Sequence, residues 1–159
     1  MTVKIDTGLN AEDRGAVAAS LVKLLADTYS LYHKTHGYHW NVRGPNFAAL
    51  HTLLEDQYTE IWGAVDTIAE RIRALGELAP QGYTALANLT GIKDGDPEKA
   101  WEGMIAELME DNETVIATAR SGFPDAESAG DEATTDLLTE RLRAHEKHAW
   151  MLRATLGGK

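Results

Sequence analysis

Between Phe47 and Leu75 the apolar side chains recur at gaps of three and four residues without a break: Phe47, Leu50, Leu54, Tyr58, Ile61, Val65, Ile68, Ile72 and Leu75. An α-helix gathers residues three and four apart onto one face, whereas a strand needs a gap of two, so the run predicts one long amphipathic helix. A helix with a single apolar stripe must bury it against other helices. The same spacing returns in Val17, Leu21, Leu24, Leu25, Thr28, Leu31 and Tyr32, in Trp101, Ile105, Leu108, Val115 and Ala119, and in Leu138, Leu142, Ala149 and Leu152. The chain reads as all-α.

Proline and glycine place the boundaries. The first helix is predicted from about residue 10 to 40, ending before the Gly44-Pro45 turn. Asn46 is predicted to cap the second helix and Gly76 to end it. Residues 77–95 hold Pro80, Gly82, Gly91 and Gly95 and form a long link with a short helix around Tyr83 to Leu89. Asp96 before Pro97 is predicted to start the third long helix, and Gly122 with Pro124 to stop it. The last runs from Gly130-Asp131 to Leu156. Four long helices with one long second-to-third crossover describe a ferritin-like four-helix bundle. One domain over residues 1–159 is expected, with 1–9 a flexible N-terminus, and a chain of this length needs no staple to fold.

Composition narrows the function. With no cysteine, a disulfide framework, a thiol nucleophile and a zinc ribbon are excluded. No basic start leads into an apolar leader, and no apolar run approaches the ~20 residues that cross a bilayer, so a cytoplasmic chain without membrane contact is expected. Fifteen basic against 25 acidic residues give a net charge of -10, which suits cations and repels phosphate backbones.

Six histidines are present, and His33, His36, His39 and His51 crowd around the first turn. His51 and Glu55 share a face of the second helix, as do Asp66 and Glu70 further along. The two pairs lie roughly 22 Å apart along a straight helix, too far for one ion. They are symmetric about the middle of the helix, between Glu60 and Ile61. Two antiparallel copies would therefore set His51 opposite Glu70 and Glu55 opposite Asp66, a reciprocal contact of the kind a two-fold dimer makes. His39, just before the turn, stands nearly level with His51. Mixed imidazole and carboxylate ligation favours iron, manganese or zinc. On spacing alone the same acidic pairs also suit a solvated helix surface, and both readings stand at this point. His33 and His36 are candidates for an auxiliary metal position. His145 and His148 are expected at the surface or an interface, and Trp40, Trp62, Trp101 and Trp150 in the core or an interface.

The string His39-Trp40-Asn41-Val42-Arg43-Gly44-Pro45-Asn46-Phe47, then Leu50-His51 and Asp66-x-x-Ala69-Glu70-Arg71, resembles the ferroxidase signature of the Dps family, the miniferritins. The likeness continues through Gly130-Asp131 and Lys147-His148-Ala149-Trp150-Met151 and covers roughly residues 12–159. It implies a subunit of a hollow homododecamer with a dinuclear iron site at each two-fold interface. His39, His51 and Glu55 would come from one subunit, Asp66 and Glu70 from its neighbour. The family more often carries aspartate where this chain has Glu55, and the longer side chain alters the geometry. Ordinary ferritins use Glu-x-x-His motifs inside each bundle, and the sequence has none.

The implied reaction is oxidation of Fe(II) to Fe(III) by hydrogen peroxide, followed by storage of ferric mineral that protects against oxidative damage. The resemblance makes Trp40 and Trp150 candidate radical sinks and Asp131 and Asp136 candidate linings of an iron-entry pore, although Asp131 also suits a helix start. Zinc could replace iron in the same ligands. DNA binding in the family commonly rests on a lysine-rich tail. Here Lys4 is set against Asp6, the other end offers only Arg153 and Lys159, and twelve copies would carry about -120. DNA binding is therefore expected to be weak or absent, and nucleoid association is not favoured.

Overall fold

The computed structural model describes residues 4–158, so Met1 to Val3 of the expected flexible N-terminus, and Lys159, lie outside the described residues. Five helices and no strand occur among them: α1 Ala11–Asn41, α2 Phe47–Ala74, α3 Tyr83–Leu89, α4 Trp101–Ala129 and α5 Glu132–Thr155. The expected ferritin-like all-α bundle with its long crossover and short α3 is the observed fold. α1 pairs with α2, and α4 with α5. Asp27 to Thr118 and Lys34 to Asp111 set α1 antiparallel to α4, while Arg71 to Asp131 and Glu60 to Arg141 set α2 antiparallel to α5.

The apolar stripes meet in one core. Leu21, Leu24, Leu31, Leu50, Leu54, Ile61, Ile68, Ile72, Met104, Ile105 and Leu108 are fully buried. Each such side chain contributes about 1.5–3 kcal/mol relative to an exposed one. The crossover is tied down by a carboxylate: buried Asp27 accepts from Thr90 Oγ1 at 2.9 Å, the Gly91 amide at 2.7 Å, Thr118 Oγ1 at 2.7 Å and Lys23 Nζ at 2.9 Å. Four donors keep this charge compensated away from water and join α1, the crossover and α4.

Glycines with positive φ close two of the long helices. Gly76, at φ +101°, ends α2, and the Glu77 amide bonds back to the Ile72 carbonyl at 3.3 Å. Gly130, at φ +66°, ends α4 in the same way, with the Asp131 amide on the Ala126 carbonyl at 2.8 Å.

Three boundaries differ from the sequence reading. Asn46 makes no side-chain cap, because its backbone (φ -104°, ψ 20°) is not the extended conformation a capping residue needs. The Asp96-Pro97 signal acts one turn early: Asp96 accepts from the Glu98 amide at 2.9 Å and closes a separate turn, and α4 starts at Trp101 after extended Ala100. Gly122 and Pro124 do not stop α4, which runs through them to Ala129. Gly122 gives up a side chain where α4 approaches Leu138, and continuing the helix buries Ala126. That packing outweighs the roughly 3 kcal/mol a proline costs in a helix interior. Pro124 itself is exposed. Replacing it with alanine restores a helical amide, so Pro124→Ala is expected to stabilise the fold by about 1–3 kcal/mol, read as a higher urea midpoint at unchanged slope.

Candidate metal centre

His39 stands at the end of α1 and His51 in the second turn of α2, joined by a tight turn through Gly44. Gly44 sits at φ +134°, and a side chain there would come within 3.0 Å of the Trp101 ring, so the turn requires glycine. The turn folds the two helices so that the rings of His39 and His51 stack, with centroids 3.7 Å apart and planes 18° from parallel. Each ring then bonds to the backbone of the other. His39 Nδ1 donates to the His51 carbonyl at 2.8 Å, and His51 Nδ1 donates to the His39 carbonyl at 2.9 Å. A carbonyl can only accept, so both Nδ1 atoms carry the proton, and Nε2 is the nitrogen left to coordinate. This is how metal-ligating histidines are held: one nitrogen anchored, the other free to coordinate.

Tyr58, two turns beyond His51, packs edge-on to His39 at 5.1 Å and stacks on His36 at 3.9 Å. The His36 Nδ1 lies 3.2 Å from the Tyr32 hydroxyl, and burial pushes its pKa below the ordinary value, with His39 and His33 adding to the shift. His36 is thus built into an aromatic wall, while His33 is exposed. The sequence reading did not single out Tyr32 or Tyr58 for the site. Their signal was a seven-residue offset from His39 and His51, which keeps them on the same helical stripes.

Glu55, Asp66 and Glu70 are exposed on α2, on the same face as His51, and the half-exposed indole of Trp62 (53 %) lies between them. Within one chain the carboxylates Asp66 and Glu70 stay at the far end of α2 from the histidines, roughly 22 Å away. Among the described residues no three His, Asp or Glu side chains gather as a metal site. The structure thus brings His39 and His51 together and leaves Glu55, Asp66 and Glu70 facing outward.

The remaining candidates divide. Trp40 (62 % exposed) and Trp150 are at the surface, and Trp40 packs on His36 at 4.4 Å. Asp136 is exposed. Asp131 is buried and fully engaged. Arg71 Nη2 donates to both its oxygens at 2.7 Å, and the Thr134 amide caps α5 on Oδ1 at 3.0 Å. Burial would raise its pKa, but Arg71 and Thr134 more than offset this and hold the carboxyl below the usual range. The expectation for His145 and His148 fails: both are buried, because the α5 stripe that carries them faces the bundle interior between α2 and α4.

Residues 18–158 match the Ferritin-like domain family. The chain is 38% identical over 136 residues to DNA protection during starvation protein 2 of Bacillus anthracis, an alignment that covers 86% of this chain and 93% of the relative. Among solved structures it superposes on a Dps protein from Bacillus brevis with a TM-score of 0.87 and 34% identity, over 91% of this chain and 97% of that one. The Dps protein of Vibrio cholerae O1, a member of a broad superfamily of ferritin-like diiron-carboxylate proteins, gives 0.91 and 28% identity over 98% and 99%. Fold, match and paired histidines agree, and the chain belongs to the Dps family of ferritin-like proteins.

Proposed function

We propose that the protein is an iron-storing ferroxidase whose active centre is shared between two subunits, and that it protects against oxidative damage by consuming Fe(II) and hydrogen peroxide together. The observation that carries this reading is the reciprocal anchoring of His39 and His51, which prepares two Nε2 lone pairs side by side. Glu55 adds a carboxylate on the same face of α2. A second copy packed antiparallel on this face, with Trp62 near the axis, brings Asp66 and Glu70 to the histidines and covers the exposed indole. Iron is the substrate. Two Fe(II) give one electron each to one peroxide, the O–O bond breaks, and both oxygens leave as water or hydroxide, so no hydroxyl radical is released.

Trp40, packed on His36 beside His39, takes stray oxidising equivalents, with Trp150 a second site for them. His33 and His36 offer an auxiliary metal position beside the centre. Zinc fits the same donors, has no redox chemistry and would inhibit. The self-complementary α2 face supports a two-fold dimer, and the family resemblance supports a homododecamer that stores the ferric product. Asp136 presents charge to iron entering a pore, and Asp131 orders the start of the helix that carries it.

Anaerobic loading of the assembled protein with two Fe(II) per subunit, followed by hydrogen peroxide, tests the reading. Rapid stoichiometric oxidation with suppressed radical formation is expected; oxidation no faster than in buffer would overturn it. The acidic surface is expected to leave duplex DNA unretarded in a gel at neutral pH and moderate salt, since a net charge of -10 per chain offers no counterion release. A clear band shift would refute that part.

A further inference from the structure

Polar side chains collect along successive turns of the bundle interior between α2, α4 and α5. The Glu60 to Arg141 pair sets the register of α2 against α5; one turn further along Gln57 stands level with His145, and His148 follows one turn beyond. His145 is fully buried, Gln57 is 2 % exposed and His148 is 7 %. His145 Nδ1 bonds to Asn112 Oδ1 of α4 at 2.8 Å. An amide oxygen accepts, so Nδ1 carries the proton and the lone pair sits on Nε2. That Nε2 has no partner; neither has His148 Nδ1, nor either terminal atom of Gln57, nor Glu60 Oε2 and Arg141 Nη1 one turn away.

A buried polar atom left unpaired costs about 1–3 kcal/mol, so six of them on these successive turns call for a partner. The chemistry of the atoms says by what. His145 Nε2, His148 Nδ1, Gln57 Oε1 and Glu60 Oε2 offer lone pairs, against only the Gln57 amide and Arg141 as donors. The ring centroids of His145 and His148 are 5.9 Å apart, compatible with two imidazoles reaching one ion at about 2.0–2.1 Å each.

We propose that this cluster is a metal site inside the subunit, separate from the interfacial centre. His145 Nε2, His148 Nδ1 and Gln57 Oε1 take a borderline divalent cation such as zinc or Fe(II), and Glu60 adds a carboxylate by exchanging its Arg141 bond for the ion. In this structure Glu60 is paired with Arg141 at 2.6 Å, and among the described residues no three His, Asp or Glu side chains are gathered there. Asn112 orients His145 from behind, as the partner of a ligating imidazole does. A groove between α2 and α5 opens beside the Glu60 to Arg141 pair and is lined by Glu60, Glu70, Asp136 and Glu140; of its two arginines, Arg71 is committed to Asp131 and Arg141 to Glu60. Four carboxylates at the mouth concentrate cations.

Crystals of the assembled wild-type protein, equilibrated with zinc and measured on both sides of the zinc edge, test the site without any variant. An anomalous peak between α2 and α5, bonded to His145 and His148, is expected whether or not a second peak appears at His39 and His51. Water alone in the cluster at saturating zinc would overturn the proposal and leave the interfacial reading untouched. In solution, His51→Ala protein is expected to retain about one zinc per subunit after dialysis, and the double variant His51→Ala, His145→Gln to lose it while keeping its circular dichroism. Equal zinc in the two variants would also refute it.

Discussion

Substituting His51 with alanine is expected to slow peroxide-driven Fe(II) oxidation by about a hundredfold or more, while the assembly elutes unchanged from a sizing column. The change removes one Nε2 ligand outright. It also removes the ring stacked 3.7 Å from His39, although the His51 backbone carbonyl that anchors His39 Nδ1 remains. His39 therefore keeps its tautomer and loses part of its orientation, so residual slow oxidation is compatible with the reading. Wild-type rates in an intact shell would remove the histidine pair from the mechanism. Loss of assembly would reassign His51 to holding the α1 to α2 turn.

The second large effect lies at Asp131. Asp131→Ala strands Arg71, whose side chain is largely buried, and leaves the Thr134 amide without its cap. Breaking a buried pair costs about 3–5 kcal/mol, so a strong fall in the unfolding midpoint is expected. Asp131→Asn keeps an acceptor for the Thr134 amide, loses the charge pair and should fall between the two. The pH dependence has a definite sign. The folded carboxyl titrates below the ordinary value of 3.8, so its contribution is complete above that value and is lost as pH falls through the lower folded value. The stability curves of wild type and Asp131→Asn should differ at neutral pH and converge in strong acid. A difference that persists unchanged into acid would show that the pair carries no charge-dependent stability.

The level placement of His39 and His51 was legible in the sequence, and their rings stack 3.7 Å apart. For His51 and Glu55 to share one ion with Asp66 and Glu70 the spacing calls for a partner molecule, because 1.5 Å per residue cannot bring both ends of one straight helix to one ion. The fold leaves those carboxylates outward-facing and unjoined within the chain. What spacing could not show was how His39 is oriented. That depends on the Gly44 turn bringing two carbonyls against two imidazoles, a contact between residues twelve apart that no single-helix pattern encodes.

Helix type and extent came from the sequence because the apolar period is a local property, repeated over many turns. Where it erred, tertiary packing overrode a local signal. Pro124 is a helix breaker judged by its own backbone, yet α4 runs on because the helix beyond it has core to bury. Asp131 satisfied two readings as a sequence, pore lining or helix cap, and only the approach of Arg71 from α2 engaged its carboxylate. His145 and His148 looked like surface groups among charged neighbours; the rotation of α5 about its axis, set by packing against α2 and α4, turned them inward. The sequence by itself determined the helices, their order and the chemistry of the paired histidines and carboxylates, since these follow from the periodicity and the residue types. The tertiary structure alone decided which polar groups lost water and which partners replaced it, because burial is a property of neighbours that are distant in the chain.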